Sequence, residues 1–201
     1  MKPYLFPLVT QLSRKEKSCG LVFLTALVFI NLFSCSSLAV NKRPYAYLAD
    51  RSKFILLAPA AIARPLDMAQ YISASYNGQS FYFSAWVLAD ENGIDISLFN
   101  ELGAAMGELS YREGVVNLSS AVFPQSLKPE YIVADFQLCF YDPDLVRSAL
   151  KNCGLVMETQ NEHRRIFEGK NLIMEIEKDS GAVKLVNHLR GYSYILEGDY
   201  N

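Results

Sequence analysis

Side-chain chemistry at neutral pH needs a group that titrates there, or a nucleophile held beside one, and this chain offers few. It has two histidines. His163 stands beside Arg164 and Arg165 at the start of a strand-like run, and His188 lies next to a turn. No serine sits in a Gly-x-Ser-x-Gly elbow, so a hydrolase would have to gather nucleophile, base and orienting group from distant segments. Histidines this isolated are mostly structural or solvated, and no catalytic residue is assigned. Replacing His163 and His188 by Ala with no loss of function in cells would dispose of the simplest histidine-dependent enzyme. A metal site needs clustered His, Cys and carboxylate. Cys139 and Cys153 are not in a Cys-x-x-Cys arrangement and have no histidine near them in sequence, so neither metal nor cofactor is expected. That leaves Asp135, a carboxylate inside the apolar run of Tyr131, Ile132, Ala134, Phe136, Leu138 and Cys139. Its burial is costly without a partner. Two readings stand: it aims into an interior and meets a polar headgroup, or it pairs locally with a backbone N–H or an arginine.

A different cysteine closes the leader. Lys2, Arg14, Lys15 and Lys17 precede an apolar run from Leu21 to Phe33, the order of a secretory signal and too short for a comfortable membrane span. The run ends Leu32-Phe33-Ser34-Cys35, which resembles the lipobox of bacterial lipoproteins. That resemblance implies a signal peptide removed over residues 1–34, a lipidated Cys35 at the start of the mature chain, and a tether over residues 35–65. A signal cut elsewhere, or a single-pass anchor, is the competing reading. Two or more acyl chains hold a protein on a bilayer where one does so only marginally. Ser36 and Ser37 follow the cysteine where an Asp would favour the inner membrane. The expected location is therefore the outer membrane, on its periplasmic face.

Without the leader's four basic residues and one acidic residue, the chain's 19 and 21 become 15 and 20, a balance of −5. No nucleic-acid partner is expected from such a charge. Cys139 and Cys153 would sit in an oxidising compartment, where they pair if their Cα atoms come close enough. Otherwise Cys139 serves as a small apolar core residue.

The elements that must position these groups are mostly strands. Ser36 to about Arg64 reads as tether, broken by Pro44, with a turn of helix or a short strand within Leu48–Leu57 and Pro59 and Pro65 arguing against a long element. From Leu66, five runs follow at short spacing: Met68–Tyr76, Gln79–Ala89, Ile94–Leu98, Ala104–Tyr111 and Val115–Leu118. Asn77-Gly78 between the first two is a strong hairpin signal. The second run carries Phe81, Phe83, Ala85 and Val87 on one face and Tyr82, Trp86 and Leu88 on the other. A half-exposed strand would be polar outside. Either something covers that outer face, or a concave face stays apolar for a ligand. Helices are expected over Glu130–Tyr141 and Pro143–Asn152, the second capped by Asp142. Five more strands run from Leu155 to Glu197. Ten or so strands cannot lie flat as one open sheet, and a bent sheet with helices in its hollow is the natural solution. The fold class is therefore mainly β with inserted helices (α+β), a strongly curved antiparallel sheet or incomplete barrel. A single half-barrel domain would occupy residues 66–201.

The order of elements resembles an uncharacterised family of bacterial outer-membrane lipoproteins, often associated with gene sets for fatty-acid-like and aryl-polyene products. The matching stretches are Tyr71-Ile72-Ser73-Ala74-Ser75-Tyr76-Asn77-Gly78, Tyr131-Ile132-Val133-Ala134-Asp135-Phe136-Gln137-Leu138, the helix after Pro143, and Asn187-His188-Leu189-Arg190-Gly191-Tyr192. The resemblance implies a fold similar to the lipoprotein carriers LolA and LolB, and carries no catalytic residues. Its expected partners are a membrane, through N-terminal acyl groups, a lipid or acyl ligand, and an envelope protein. Phe81, Tyr82, Phe83, Trp86, Tyr131, Asp135, Phe136 and Phe140 are the candidates for lining the hollow. Arg164, Arg165 and Arg190 would meet anionic lipid or sit at solvated strand ends. The expected function is a carrier or acceptor of an acyl or lipid-like group. The alternative is a structural or assembly lipoprotein acting through a protein partner.

Overall fold

The computed structural model describes residues 43–120, 123 and 127–200. The leader, Cys35 and the first part of the proposed tether lie outside the described residues. Twelve strands are present among those described. β1 (Tyr45–Ala49) and β2 (Ser52–Ile55) form a separate hairpin. β3 (Leu66–Tyr76), β4 (Gln79–Ala89), β5 (Gly93–Phe99), β6 (Ala105–Arg112) and β7 (Val115–Ser120) form one meander. β8 (Val156–Gln160), β9 (His163–Glu168), β10 (Asn171–Lys178), β11 (Ala182–Asn187) and β12 (Tyr192–Glu197) form the other. The helices α1 (Pro129–Phe140) and α2 (Pro143–Asn152) stand between the two meanders.

All ten strands of the meanders make one antiparallel sheet in the order β7-β6-β5-β4-β3-β12-β11-β10-β9-β8. The first meander runs outward from the centre and the second runs back to it. The last strand therefore pairs with the first, Leu196 opposite Ile72 and Tyr192 opposite Tyr76. Asn77 and Gly78 both take positive φ, 51° and 76°, as the tight β3–β4 turn requires. β7 and β8 end the sheet, which does not close.

The sheet curls around α1. Leu109 on β6 shares a hollow with Phe136 of the helix, and Arg164 on β9 donates to the helix carbonyl of Leu138 at 2.6 Å. In the sheet order β6 and β9 lie seven strand intervals apart. At about 4.8 Å per interval, a flat sheet would separate them by roughly 34 Å, far more than the ~10 Å width of a helix. Only a bent sheet lets both reach α1.

Every residue of α1 from Val133 to Phe140 is buried, because the helix has neighbours on both sides. A helix that is apolar all round belongs inside. The curved sheet holds one side. On the other side, residues 45–63, read above as tether, fold as the β1–β2 hairpin and a strap. Leu48, Phe54 and Leu56 from this segment join the core. The strap is laced to α1 by Ala63 N donating to Phe140 O and Asp142 N to Ala61 O. Its apolar runs are short and bounded by Pro59 and Pro65, which is why the sequence pattern there resembles a spacer. The fold therefore starts before residue 66, and contacts group residues 41–201 as one compact unit. Asp142 caps α2, accepting from Asp144 N and Leu145 N, and Val146 and Leu150 are its fully buried stripe. No helix among the described residues is long and apolar enough to cross a membrane.

The outer face of β4 is not covered among the described residues. Tyr82 and Trp86 are 60 % and 51 % exposed, and Tyr71 on β3 is 68 % exposed.

Candidate functional site

The inward side chains of β3 to β6 and β12 do not meet α1 everywhere. A partly enclosed hollow of about 200 Å³ remains between them. Ile72, Phe83, Ile96, Leu98 and Leu109 form the sheet wall, and Ile132, Phe136 and the loop residue Phe123 form the helix wall. These positions follow from strand alternation: residues two apart on β3 and on β5 point to the same face. At the other end of α1 the interior is filled. Phe140 packs between Phe136, at 4.8 Å between ring centres, and Tyr200, at 5.6 Å.

Three polar side chains interrupt the apolar wall: Gln70, Asp135 and Tyr194. Asp135 is 7 % exposed and accepts from the Tyr192 hydroxyl at 2.7 Å. The same hydroxyl receives a bond from Asn187 Nδ2 at 3.1 Å. Burial pushes the Asp135 carboxyl up to about 7, against the opposing pull of the Tyr192 and Tyr194 hydroxyls and the Arg190 charge. Asp135 faces the hollow, as the first reading expects, and its partner is neither a local backbone N–H nor an arginine but the hydroxyl of Tyr192, 57 residues further along the chain. Burial pushes the nearby Cys139 thiol up to about 12, so it stays protonated and behaves as a core residue. Cys139 and Cys153 are both free, and the Cys153 thiol donates to Leu150 O.

Of the eight residues expected to line the hollow, Phe83, Asp135 and Phe136 do. Tyr82 and Trp86 do not, because their register turns them to the outer face, where Trp86 Nε1 donates to Asp67 Oδ1 at 3.0 Å. Phe81 shares the inward face but lies near the hairpin tip, 46 % exposed. Tyr131 stands under the Arg190 guanidinium, 4.8 Å from its ring centre, and Phe140 belongs to the filled end. Sequence reasoning passed over Gln70, Leu98 and Ile132. The signal for Gln70 was present: it is the one polar residue at an inward position of β3, between Met68 and Ile72.

The arginines separate. Arg164 is not at a solvated strand end but buried against α1, since its position on β9 faces inward opposite Ile176. Arg165 points outward to Glu158, and Arg190 donates to Tyr47 O. His163 and His188 both approach Glu175, His188 at 2.8 Å and His163 at 3.8 Å. Among the described residues no group of three or more His, Cys, Asp or Glu is arranged to hold a metal ion. A larger trough, about 610 Å³, crosses the outer face of β5 to β7. Short polar side chains such as Ser97, Ser110, Asn117 and Ser119 line it, and Asp95 there is paired with Arg112. It is open to water and lacks the apolar walls that would hold a hydrocarbon.

A family model described as a protein of unknown function, DUF3261, matches residues 67–197, which is the ten-stranded sheet with both helices. No curated protein matches the chain.

Proposed function

The chain belongs to the DUF3261 family, and we infer from its apolar hollow that it binds an acyl or lipid-like group as a carrier or acceptor at the cell envelope. In this reading the open sheet is an incomplete barrel similar to LolA and LolB, and acylated Cys35 holds it on the periplasmic face of the outer membrane. The cargo belongs to envelope lipid, lipoprotein or polyene-lipid traffic. The supporting observation is the unfilled, nearly all-apolar space between the sheet and α1. Each methylene moved from water into it contributes about 0.8 kcal/mol, so about five correspond to millimolar and about ten to micromolar binding before the cost of ordering the ligand. Its 200 Å³ falls below the roughly 300–1,000 Å³ of pockets for drug-sized ligands. It suits part of one hydrocarbon tail. A longer ligand requires α1 to move away from the sheet. The strap fixes the C-terminal end of α1, so the N-terminal half, held by Tyr192 on Asp135, is the part that swings. Transfer then needs only a difference in affinity among donor, hollow and membrane.

Ala74 lines the hollow and is only half-buried, so a larger side chain there fills space without displacing packed core. Ala74→Trp is expected to weaken binding of a fluorescent fatty acid at least tenfold, with the unfolding midpoint nearly unchanged. Undiminished binding by this variant would place the ligand elsewhere.

A second reading rests on the outer face. Tyr71, Tyr82, Trp86, Leu88 and Ile195 are exposed on adjacent strands, and a patch of this kind marks protein interfaces. A non-catalytic assembly role through a protein partner would use that face. Crosslinking that returns one constant protein neighbour, with no fatty acid bound, favours it.

A further inference from the structure

The inward positions of β3 are Leu66, Met68, Gln70, Ile72 and Ala74, one amide in an apolar row. Gln70 is 2 % exposed, and its Nε2 has no hydrogen-bond partner. A buried donor left unpaired is destabilising, and a Met of the same length would avoid the penalty. The amide is also part of the wall of the hollow. The other polar groups there are engaged with each other, Asp135 with Tyr192 at 2.7 Å and with Tyr194 beside it. Among the described residues, a turn of the Gln70 amide would therefore present the hollow with an unclaimed hydrogen-bond donor against hydrocarbon walls. Among the described residues no Lys or Arg lines it, and Asp135 is a carboxyl group, so the described wall holds no group that recognises a phosphate or sulfate. The remaining match is a neutral acceptor on a hydrocarbon chain.

We propose that the hollow recognises an acyl group by its carbonyl oxygen, which accepts from Gln70 Nε2 while the chain lies against Ile72, Phe83 and Leu98. This deepens the acyl-binding reading and rests on it. The terminal torsion of a glutamine is broad, so a small turn of the amide brings Nε2 to the ligand without moving the strand. The shared chemistry is the carbonyl, supplied by a free fatty acid or by an ester.

The test uses the full chain in a fluorinated surfactant at about pH 4, where decanoic acid is largely neutral like its ester, with decanoic acid, methyl decanoate and decane competing against a fluorescent fatty acid. The wild-type chain is expected to bind decanoic acid or its methyl ester about tenfold more tightly than decane, the effect of one hydrogen bond that completes a buried donor. Gln70→Met is expected to abolish that preference, leave decane affinity unchanged and raise thermal stability, because the unpaired buried donor is gone. Loss of preference for both carbonyl ligands assigns recognition to the carbonyl itself. Loss for decanoic acid alone assigns it to the free carboxyl. Gln70→Met binding all three ligands as the wild type does overturns the proposal and leaves the acyl-binding reading standing. Failure of the wild-type chain to bind any of the three overturns both.

Discussion

Gln137→Leu is expected to destabilise the fold by about 2–4 kcal/mol, lowering the unfolding midpoint by roughly 4–16 °C for a chain of this size. Gln137 is fully buried. Its Oε1 accepts from Leu57 N at 2.9 Å and its Nε2 donates to Leu57 O at 2.8 Å, so one side chain pairs both backbone groups of the strap as a neighbouring strand would. Leucine fills similar space but leaves the Leu57 N–H unpaired. The Leu57 carbonyl keeps the Tyr111 hydroxyl, at 2.9 Å. Tyr111→Phe removes only that second bond and should cost about 1 kcal/mol. Hydrogen exchange locates the effect. In Gln137→Leu the amides of β1 and β2 should lose protection more than those of β3, because the strap ties the hairpin to α1. Uniform loss across the sheet, or no loss, would contradict the role given to this side chain.

Asp135→Asn is expected to stabilise the chain above neutral pH and to flatten its pH profile. The folded chain holds the Asp135 carboxyl at about 7, chiefly by burial, whereas an unfolded Asp titrates near 3.9. Between those values the folded state binds a proton that the unfolded state has released. This contribution is therefore fully present below about pH 3.9 and is lost as pH rises to about 7, at roughly 1.4 kcal/mol per unit. The total loss is on the order of 4 kcal/mol at most. Asn is neutral and isosteric, and its Oδ1 still accepts from the Tyr192 hydroxyl. The variant and wild type should be nearly equal in urea at pH 4, while at pH 8 the variant should be more stable by about 2–4 kcal/mol. Parallel curves from pH 4 to 8 would mean that Asp135 is ionised throughout and solvated. Loosening of α1 as Asp135 ionises would make the same residue a pH-dependent catch on the hollow.

Local chemistry made much of this fold readable. Asn77-Gly78 announces its hairpin, Asp142-Pro143 announces the start of α2, and alternation in β4 separates Phe83 from Trp86 before any coordinates. The pairing of β12 with β3 was not readable, because nothing near Tyr192 or Ile72 names a partner more than a hundred residues away. The strap was also hidden. Its strands are four and five residues long, and the groups that hold it, the backbone at the C-terminal end of α1 and a glutamine 80 positions further on among them, are remote in sequence. Aromatic content proved a poor guide to the site. Tyr82 and Trp86 are large and apolar, yet the register alone decides which face they take. Gln70 stood out less in the sequence than Asp135, although both interrupt an apolar pattern. An amide in a strand reads as ordinary polarity until its burial and its unpaired Nε2 are seen.

The most direct measurement is photolabelling of the full chain in its native membrane by a fatty acid carrying a diazirine at its terminal carbon. Saturable label on peptides containing Phe83, Leu98 and Ile132, competed away by unlabelled fatty acid, is the predicted result. Label mapped residue by residue to Tyr71 or Trp86 on the outer face and not to Phe83, Leu98 or Ile132, or label that no fatty acid competes away, would contradict an acyl chain held between the sheet and α1.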